Sequence, residues 1–334
     1  MISHPSLFNL ILYTEENLSL DYYEDMLKTT IARFPSNIIF IQHHPNSNES
    51  FCRTEEKPIK SSENSEMTCH QLIIRTAGNG ISKVPFLILP SLVPDLPIYL
   101  IWGQDPTKPN DLFAHLYPYI DHLIFDSERA ENLTSFAKAV IKKRKKWDCR
   151  IVDMNWARCS GWRIVLRQAY DTKEKIRDLN HSKKIVITYN QQSTNSFQHQ
   201  EIQAIYLQSW LSTQLNWNFV KQGKEDGKFT FIYQAVDQEI HVGLEKAYIE
   251  NFDPGAIVGF ESETYDNKST TLKRESDSPK QVYAQFCHEG SCELPFTIPL
   301  YTMSRGQTFI KYLLYSPIDA HYLNMMQKLS EQIK

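Results

Sequence analysis

The spacing of apolar positions changes about halfway along this chain. In the first half, short apolar runs alternate with stretches whose apolar residues recur every three or four positions. Leu7–Tyr13 and Asn37–Gln42 read as strands, and Asp21–Phe34 between them places Tyr22, Met26, Ile31 and Phe34 on one side of a helix. Strands at Gln71–Thr76, Ile98–Trp102 and His122–Phe125, with helices near 81–92, 110–118 and 128–146, continue the alternation. Such alternation predicts a mostly parallel sheet flanked by helices. Beyond residue 180 the chain turns strand-rich. Lys184–Tyr189 and a helix at Glu201–Leu215 precede strands at Asn216–Lys221, Phe229–Gln234, Glu239–Leu244, Ala256–Glu261, Gln281–Phe286 and Leu294–Ile298. Their short turns predict a largely antiparallel sheet. A closing helix near 318–333 stacks Tyr322, Met325, Met326, Leu329 and Ile333 as ordinary core.

The fold class expected is therefore α/β: an N-terminal mostly parallel sheet with flanking helices, followed by a C-terminal α+β domain whose sheet is largely antiparallel. A chain of 334 residues is long for one core. The expected division is an α/β domain over 1–150, a helical junction over 151–180 and an α+β domain over 181–334. Two polar interruptions, 45–68 and 262–280, carry too few apolar side chains to pack and are expected to be mobile loops.

Charge removes several partners. With 36 Lys and Arg against 39 Asp and Glu, the net charge of -3 sets up no field that draws nucleic acid or anionic lipid. The first apolar run lacks a basic start and a small-residue cleavage site, and the apolar segment at 84–102 is cut by prolines. A cytoplasmic protein with no membrane span follows as the expectation. The basic run Lys142–Lys146 reads as the cationic end of a helix. Of six cysteines, Cys287 and Cys292 bracket H-E-G-S between two strand-like runs, which makes them a candidate redox pair across a hairpin. No zinc spacing is present, so no metal site is expected.

Catalytic signatures are missing: the sequence contains no phosphate loop, nucleophile elbow, H-E-x-x-H or G-x-G-x-x-G. The A-G-N-G-I stretch at 77–81 reads first as a turn. His43, Asp105 and Asp126 fall at the carboxyl ends of expected parallel strands. They support a rival reading, a sugar-phosphate- or nucleotide-binding enzyme or sensor.

The densest chemistry is D-M-N-W-A-R-C-S-G-W-R at 153–163, which holds two of the six tryptophans. Asp153 reads as a helix N-cap, and Trp156 and Arg163 share a face. Gly161 inside a helix marks either a break or the close approach of another element. Trp and Arg are interface anchors, but they serve internal packing equally well.

Five ordered stretches carry a resemblance: M-T-C-H-Q-L-I-I-R-T-A-G at 67–78, L-P-S-L-V-P-D-L-P-I-Y-L-I-W-G-Q-D-P at 89–106, D-H-L-I-F-D-S at 121–127, the 153–163 stretch with Q-A-Y-D at 168–171, and Q-S-W-L-S-T-Q-L-N-W at 208–217. The chain resembles the glucose-6-phosphate dehydrogenase assembly protein OpcA family. That resemblance implies a non-catalytic assembly factor and allosteric activator, without a cofactor of its own. It would bind glucose-6-phosphate dehydrogenase and favour NADPH production in the oxidative pentose phosphate pathway. On this reading Trp102, Asp105, Trp156, Arg158, Trp162 and Arg163 are the candidate partner-binding residues.

Overall fold

Strands that are apolar throughout form the middle of the first sheet, because a strand covered by helices on both faces has no polar side. The computed structural model describes residues 6–15, 20–60, 68–145, 149–193, 199–225, 228–301 and 320–332. It divides into two compact units, Met1–Ala157 with Met303–Asp319 and Arg158–Thr302 with Ala320–Lys334.

In the first unit β1 (Asn9–Glu15), β2 (Asn37–His44), β4 (Thr68–Ala77), β5 (Ile98–Trp102), β6 (His122–Phe125) and β7 (Arg150–Asp153) run parallel, and β3 (Phe51–Lys60) pairs antiparallel with β4 at the edge. The order is β3-β4-β2-β1-β5-β6-β7, which reverses direction between β1 and β5. Around it lie α1 (Leu20–Ile31), α2 (Val84–Ser91), α3 (Asp111–Leu116) and α4 (Leu133–Arg144). In α1, Tyr23, Met26, Leu27 and Ile31 are buried while Phe34 beyond it is half-buried; the Tyr22 side chain lies outside the described residues. Asn110 caps α3 and Asn132 caps α4, each accepting from a backbone amide three residues on.

After β7 come α5 (Met154–Arg158), α6 (Ser160–Ala169) and α7 (Lys173–Asn180). The second unit builds its sheet from β8 (Ser182–Asn190), β9 (Asn218–Glu225), β10 (Lys228–Gln234), β11 (Glu239–Ala247), β12 (Ile257–Thr264), β13 (Lys268–Arg274), β14 (Gln281–His288), β15 (Ser291–Cys292) and β16 (Phe296–Pro299). Every pairing is antiparallel except that of β8 with β11. Ile185 and Ile187 of β8, Phe231 and Tyr233 of β10, and Val242 and Leu244 of β11 are buried together. α8 (Ile202–Gln214) packs on β8 and β11, and α9 (Ala320–Gln332) packs on α8 and β9. Ser209 on α8 donates to Gln332 Oε1 on α9 at 2.9 Å, so the two helices share a buried polar link.

The mixed fold, parallel sheet first and antiparallel sheet second, is as expected. Two segments expected to be mobile are instead strands. Within 45–68, residues 51–60 form β3, whose ten ladder positions on β4 supply the ordering that its side chains do not; residues 61–67 lie outside the described residues. Within 262–280, the end of β12 and all of β13 form a hairpin that turns through Asn267 at φ 59°. The chain passes between units at Ala157–Arg158, inside the region expected as a helical junction.

Candidate functional site

In open α/β sheets ligands bind outside the carboxyl ends of the strands, where the strand order reverses. Here that position lies between β1 and β5. Tyr13 and Trp102 are register partners there, and their rings stack with centroids 4.1 Å apart and planes inclined by 12°. Phe113 meets Trp102 edge-on at 4.8 Å. Neither Tyr13 nor Trp102 is more than 2% exposed, so the two rings are core at the carboxyl ends of β1 and β5.

A polar chain closes over this stack. The Tyr13 hydroxyl lies 2.9 Å from His43 Nδ1 and accepts from Asn110 Nδ2 at 3.2 Å. Asn110 also donates to Gln104 Oε1 at 2.9 Å, and Gln104 Nε2 donates to Glu15 Oε1 at 2.8 Å. Burial, reinforced by the Glu15 charge, raises the Tyr13 pKa, so the phenol keeps its proton. Burial, and then the neighbouring His44, lowers that of His43 and favours a neutral imidazole. His43 is thus a hydrogen-bond partner within the wall.

The neighbouring carboxylates are also engaged. Asp105 accepts from Thr107 N and Oγ1 at 2.8 and 2.7 Å through Oδ1, and from Glu131 N at 2.8 Å through Oδ2. Asp126 Oδ1 accepts from Glu128 N at 3.2 Å and from Asn155 Nδ2 at 3.4 Å. Asp153, at the end of β7, accepts through Oδ1 from Asn155 N at 2.8 Å, Trp156 N at 3.2 Å and Ser127 Oγ at 3.0 Å. The cap expected at Asp153 is therefore present. Desolvation first, and the Asp126 charge second, push its pKa from 3.8 up to about 7. Asn155 Nδ2 also donates to Ser127 Oγ at 3.0 Å, tying the ends of β6 and β7 together. Tyr13, Gln104, Asn110 and Asn155 were not singled out from the sequence. The N-W-A-R motif marked the place of Asn155, and no local signal marked the other three.

Beyond Arg158, in the second unit, the helix breaks at Cys159 and restarts as α6. Trp162 Nε1 donates to the Ile257 carbonyl at 2.8 Å, and Arg163 Nη1 lies 2.8 Å from Cys159 Sγ. Gly161 meets another segment, with Tyr301 O 2.8 Å from where a Cβ would stand. Five of the six residues expected on a partner surface are thus interior. Trp102, Asp105, Trp156 and Trp162 are under 5% exposed, Arg163 is 9% exposed, and Arg158 is half-buried. Their large apolar areas are already spent on packing within this chain.

The A-G-N-G-I stretch, expected as a turn, is instead the end of β4 running into a 3-10 helix over Gly78–Lys83, with Gly78 at φ +51° and Gly80 so close to the Phe51 carbonyl that no Cβ fits. Cys287 and Cys292 face each other on β14 and β15 and are joined in a disulfide. Among the described residues no group of three or more His, Cys, Asp or Glu is placed to hold a metal, and no helix is long and apolar enough to cross a membrane.

Two family models match in order along the chain. The one described as "Glucose-6-phosphate dehydrogenase subunit N-terminal domain" covers residues 29–142, and the one described as the C-terminal domain of the same subunit covers 149–287. The chain belongs to the OpcA family. Two curated relatives are each called "Putative OxPP cycle protein OpcA". The Synechocystis protein is 23% identical over 206 residues, covering 60% of this chain and 41% of the relative. The Nostoc punctiforme protein is 25% identical over 209 residues, covering 60% and 42%. The matched region therefore spans less than half the length of these OpcA relatives.

Solved structures share the fold. A 3-ketoreductase, KijD10 from Actinomadura kijaniata in complex with TDP-benzene and NADP, superposes with a TM-score of 0.56 at 8% identity, covering 98% of this chain and 97% of its own. A glucose-6-phosphate dehydrogenase in complex with glucose-6-phosphate gives 0.50 at 9% identity, covering 100% and 89%. This OpcA-family chain has the architecture of those oxidoreductases, with its own side chains at the strand ends.

Proposed function

We propose that this protein is a non-catalytic partner of glucose-6-phosphate dehydrogenase that favours the active state of that enzyme in the oxidative pentose phosphate pathway. Family membership and the names of the relatives support the partner. The stacking of Trp102 on Tyr13 carries the non-catalytic part, because it makes core of the strand ends where a ligand of this fold would sit. The sequence at the end of β1 and just beyond it adds to this: T-E-E-N-L-S at 14–19 has two carboxylates and no glycine, the opposite of what a pyrophosphate requires.

The rival reading, a sugar-phosphate or nucleotide enzyme or sensor, relied on His43, Asp105 and Asp126. All three are engaged in hydrogen bonds within the wall. An activator works by binding the active form of its target more tightly than the inactive form, since equal affinity shifts no equilibrium. A hundredfold effect needs about 2.7 kcal/mol of preference, within the reach of one well-packed contact cluster.

The test is the rate of NADP reduction by the same organism's dehydrogenase over a range of glucose-6-phosphate, with and without excess of this protein. A lower half-saturating concentration or a higher maximal rate is expected. An unchanged curve together with absence of co-elution would remove the proposal.

A further inference from the structure

Five of the six residues expected to face a partner are interior, while the sheet of the second unit keeps a broad face turned away from α8. The buried alternates of β8, β10 and β11 point to the side packed by α8, and the residues between them point away from it. One row of register partners crosses six strands on that outer side: Thr230, Gly243, Val186, Glu261, Thr271 and Gln285. The row holds only one apolar side chain larger than a methyl group. Gly243 and Gly259 keep the middle low, and a Cβ at Gly243 would meet nothing closer than Ile185 O at 3.9 Å.

Seven inter-strand spacings by about seven residues give a face of about 34 by 24 Å, or roughly 800 Å². That matches the roughly 800 Å² each partner contributes to a standard interface. Its polar character suits a complex that forms and separates rather than a permanent one. Over Gly243 the face dips into a depression of about 510 Å³, lined among others by Lys183, Lys184, Lys228, His241 and Tyr265. Lys228 pairs with Glu245 at 3.4 Å, Lys183 with Glu263 at 2.7 Å and His241 with Glu239 at 2.6 Å, which leaves Lys184 as the cation of the lining to meet an acidic projection.

We propose that this open sheet face is where the dehydrogenase docks, sheet against sheet, with an acidic side chain of the dehydrogenase seated over Gly243. The proposal rests on the partner reading above. A glucose-6-phosphate dehydrogenase has the same overall architecture as this chain. Two like sheets stack face to face about 10 Å apart, a packing met throughout β-sandwiches. The chain would then stand beside the enzyme as an extra subunit does.

The test measures affinity of the full chain for the same organism's dehydrogenase at low and moderate salt. It compares wild type, Gly243→Arg, the double variant Lys184→Glu/Lys273→Glu, and Lys138→Glu on exposed α4 as a control. Gly243→Arg and the double variant are expected to bind at least tenfold more weakly with melting temperatures near that of wild type, the control to bind as wild type, and wild-type binding to weaken with salt. Wild-type binding with both face variants equally tight would overturn the face while leaving the partner reading intact. A wild-type chain that never binds the dehydrogenase would overturn both. Self-association lost in the face variants, with dehydrogenase binding untouched, would assign the face to a second copy and overturn this proposal.

Discussion

Gly161 and Tyr301 meet where no side chain fits: a Cβ at 161 would stand 2.8 Å from the Tyr301 carbonyl oxygen and 3.0 Å from Leu300 Cδ1. In an open helix alanine is better than glycine by about 1 kcal/mol. Here the overlap outweighs that gain, and Gly161→Ala is expected to destabilise the protein by about 1–3 kcal/mol. Urea denaturation measures it. A variant as stable as wild type would show that Leu300 and Tyr301 move aside freely.

Trp102→Ala removes a core ring at the carboxyl end of β5 and is expected to destabilise by about 3–5 kcal/mol. Opening the space does not create a nucleotide site, because Glu15 remains and no glycine-rich turn follows β1. Millimolar NADP is expected to leave the melting curve of the variant unmoved. Stabilisation by NADP would bring back the ligand-binding reading.

Asp153 gives the stability a pH dependence of known sign. Its carboxyl, ordinarily near 3.8, is raised to about 7 in the folded protein. Between those values the folded protein holds a proton that the unfolded chain releases, so this contribution to stability falls as pH rises and levels off above 7. His122 acts oppositely: burial first, then the Arg150 charge, hold it near 4. Its contribution therefore grows as pH rises towards the ordinary histidine value near 6.5. The difference between wild type and Asp153→Asn isolates the carboxyl. The amide keeps an oxygen for Ser127, Asn155 and Trp156, and its advantage is expected to grow from pH 4 to 7 by an amount on the order of a few kcal/mol. A flat difference curve in chemical denaturation would contradict the assignment.

The Cys287–Cys292 disulfide sets the thiol count. Denatured without reductant, the chain is expected to titrate four thiols, at Cys52, Cys69, Cys149 and Cys159, and six after reduction. The bridge closes a loop with a sequence separation of only five. Its loss is therefore expected to destabilise by no more than about 2 kcal/mol. Six thiols before reduction would contradict the disulfide, and a count that stays at six under oxidising conditions would end any redox role for the pair.

Periodicity alone determined much of this protein. Apolar runs without polar alternation marked the parallel strands, and three-to-four spacing marked the helices, because burial on two faces or one leaves a direct imprint on side-chain order. Asp153 as a cap and Cys287 facing Cys292 were legible too, since both depend on neighbours a few residues away. β3 and β13 were not. F-C-R-T-E-E-K-P-I-K sends charges to solvent from a sheet edge, and K-S-T-T-L-K-R buries one leucine among polar residues, so each is a strand through backbone pairing with a neighbouring strand. The tertiary structure also decided which way the 153–163 stretch faces. A Trp and Arg stripe has one composition whether it anchors a core or an interface. Only the carbonyl of Ile257, 95 residues away and within reach of Trp162, turned it inward.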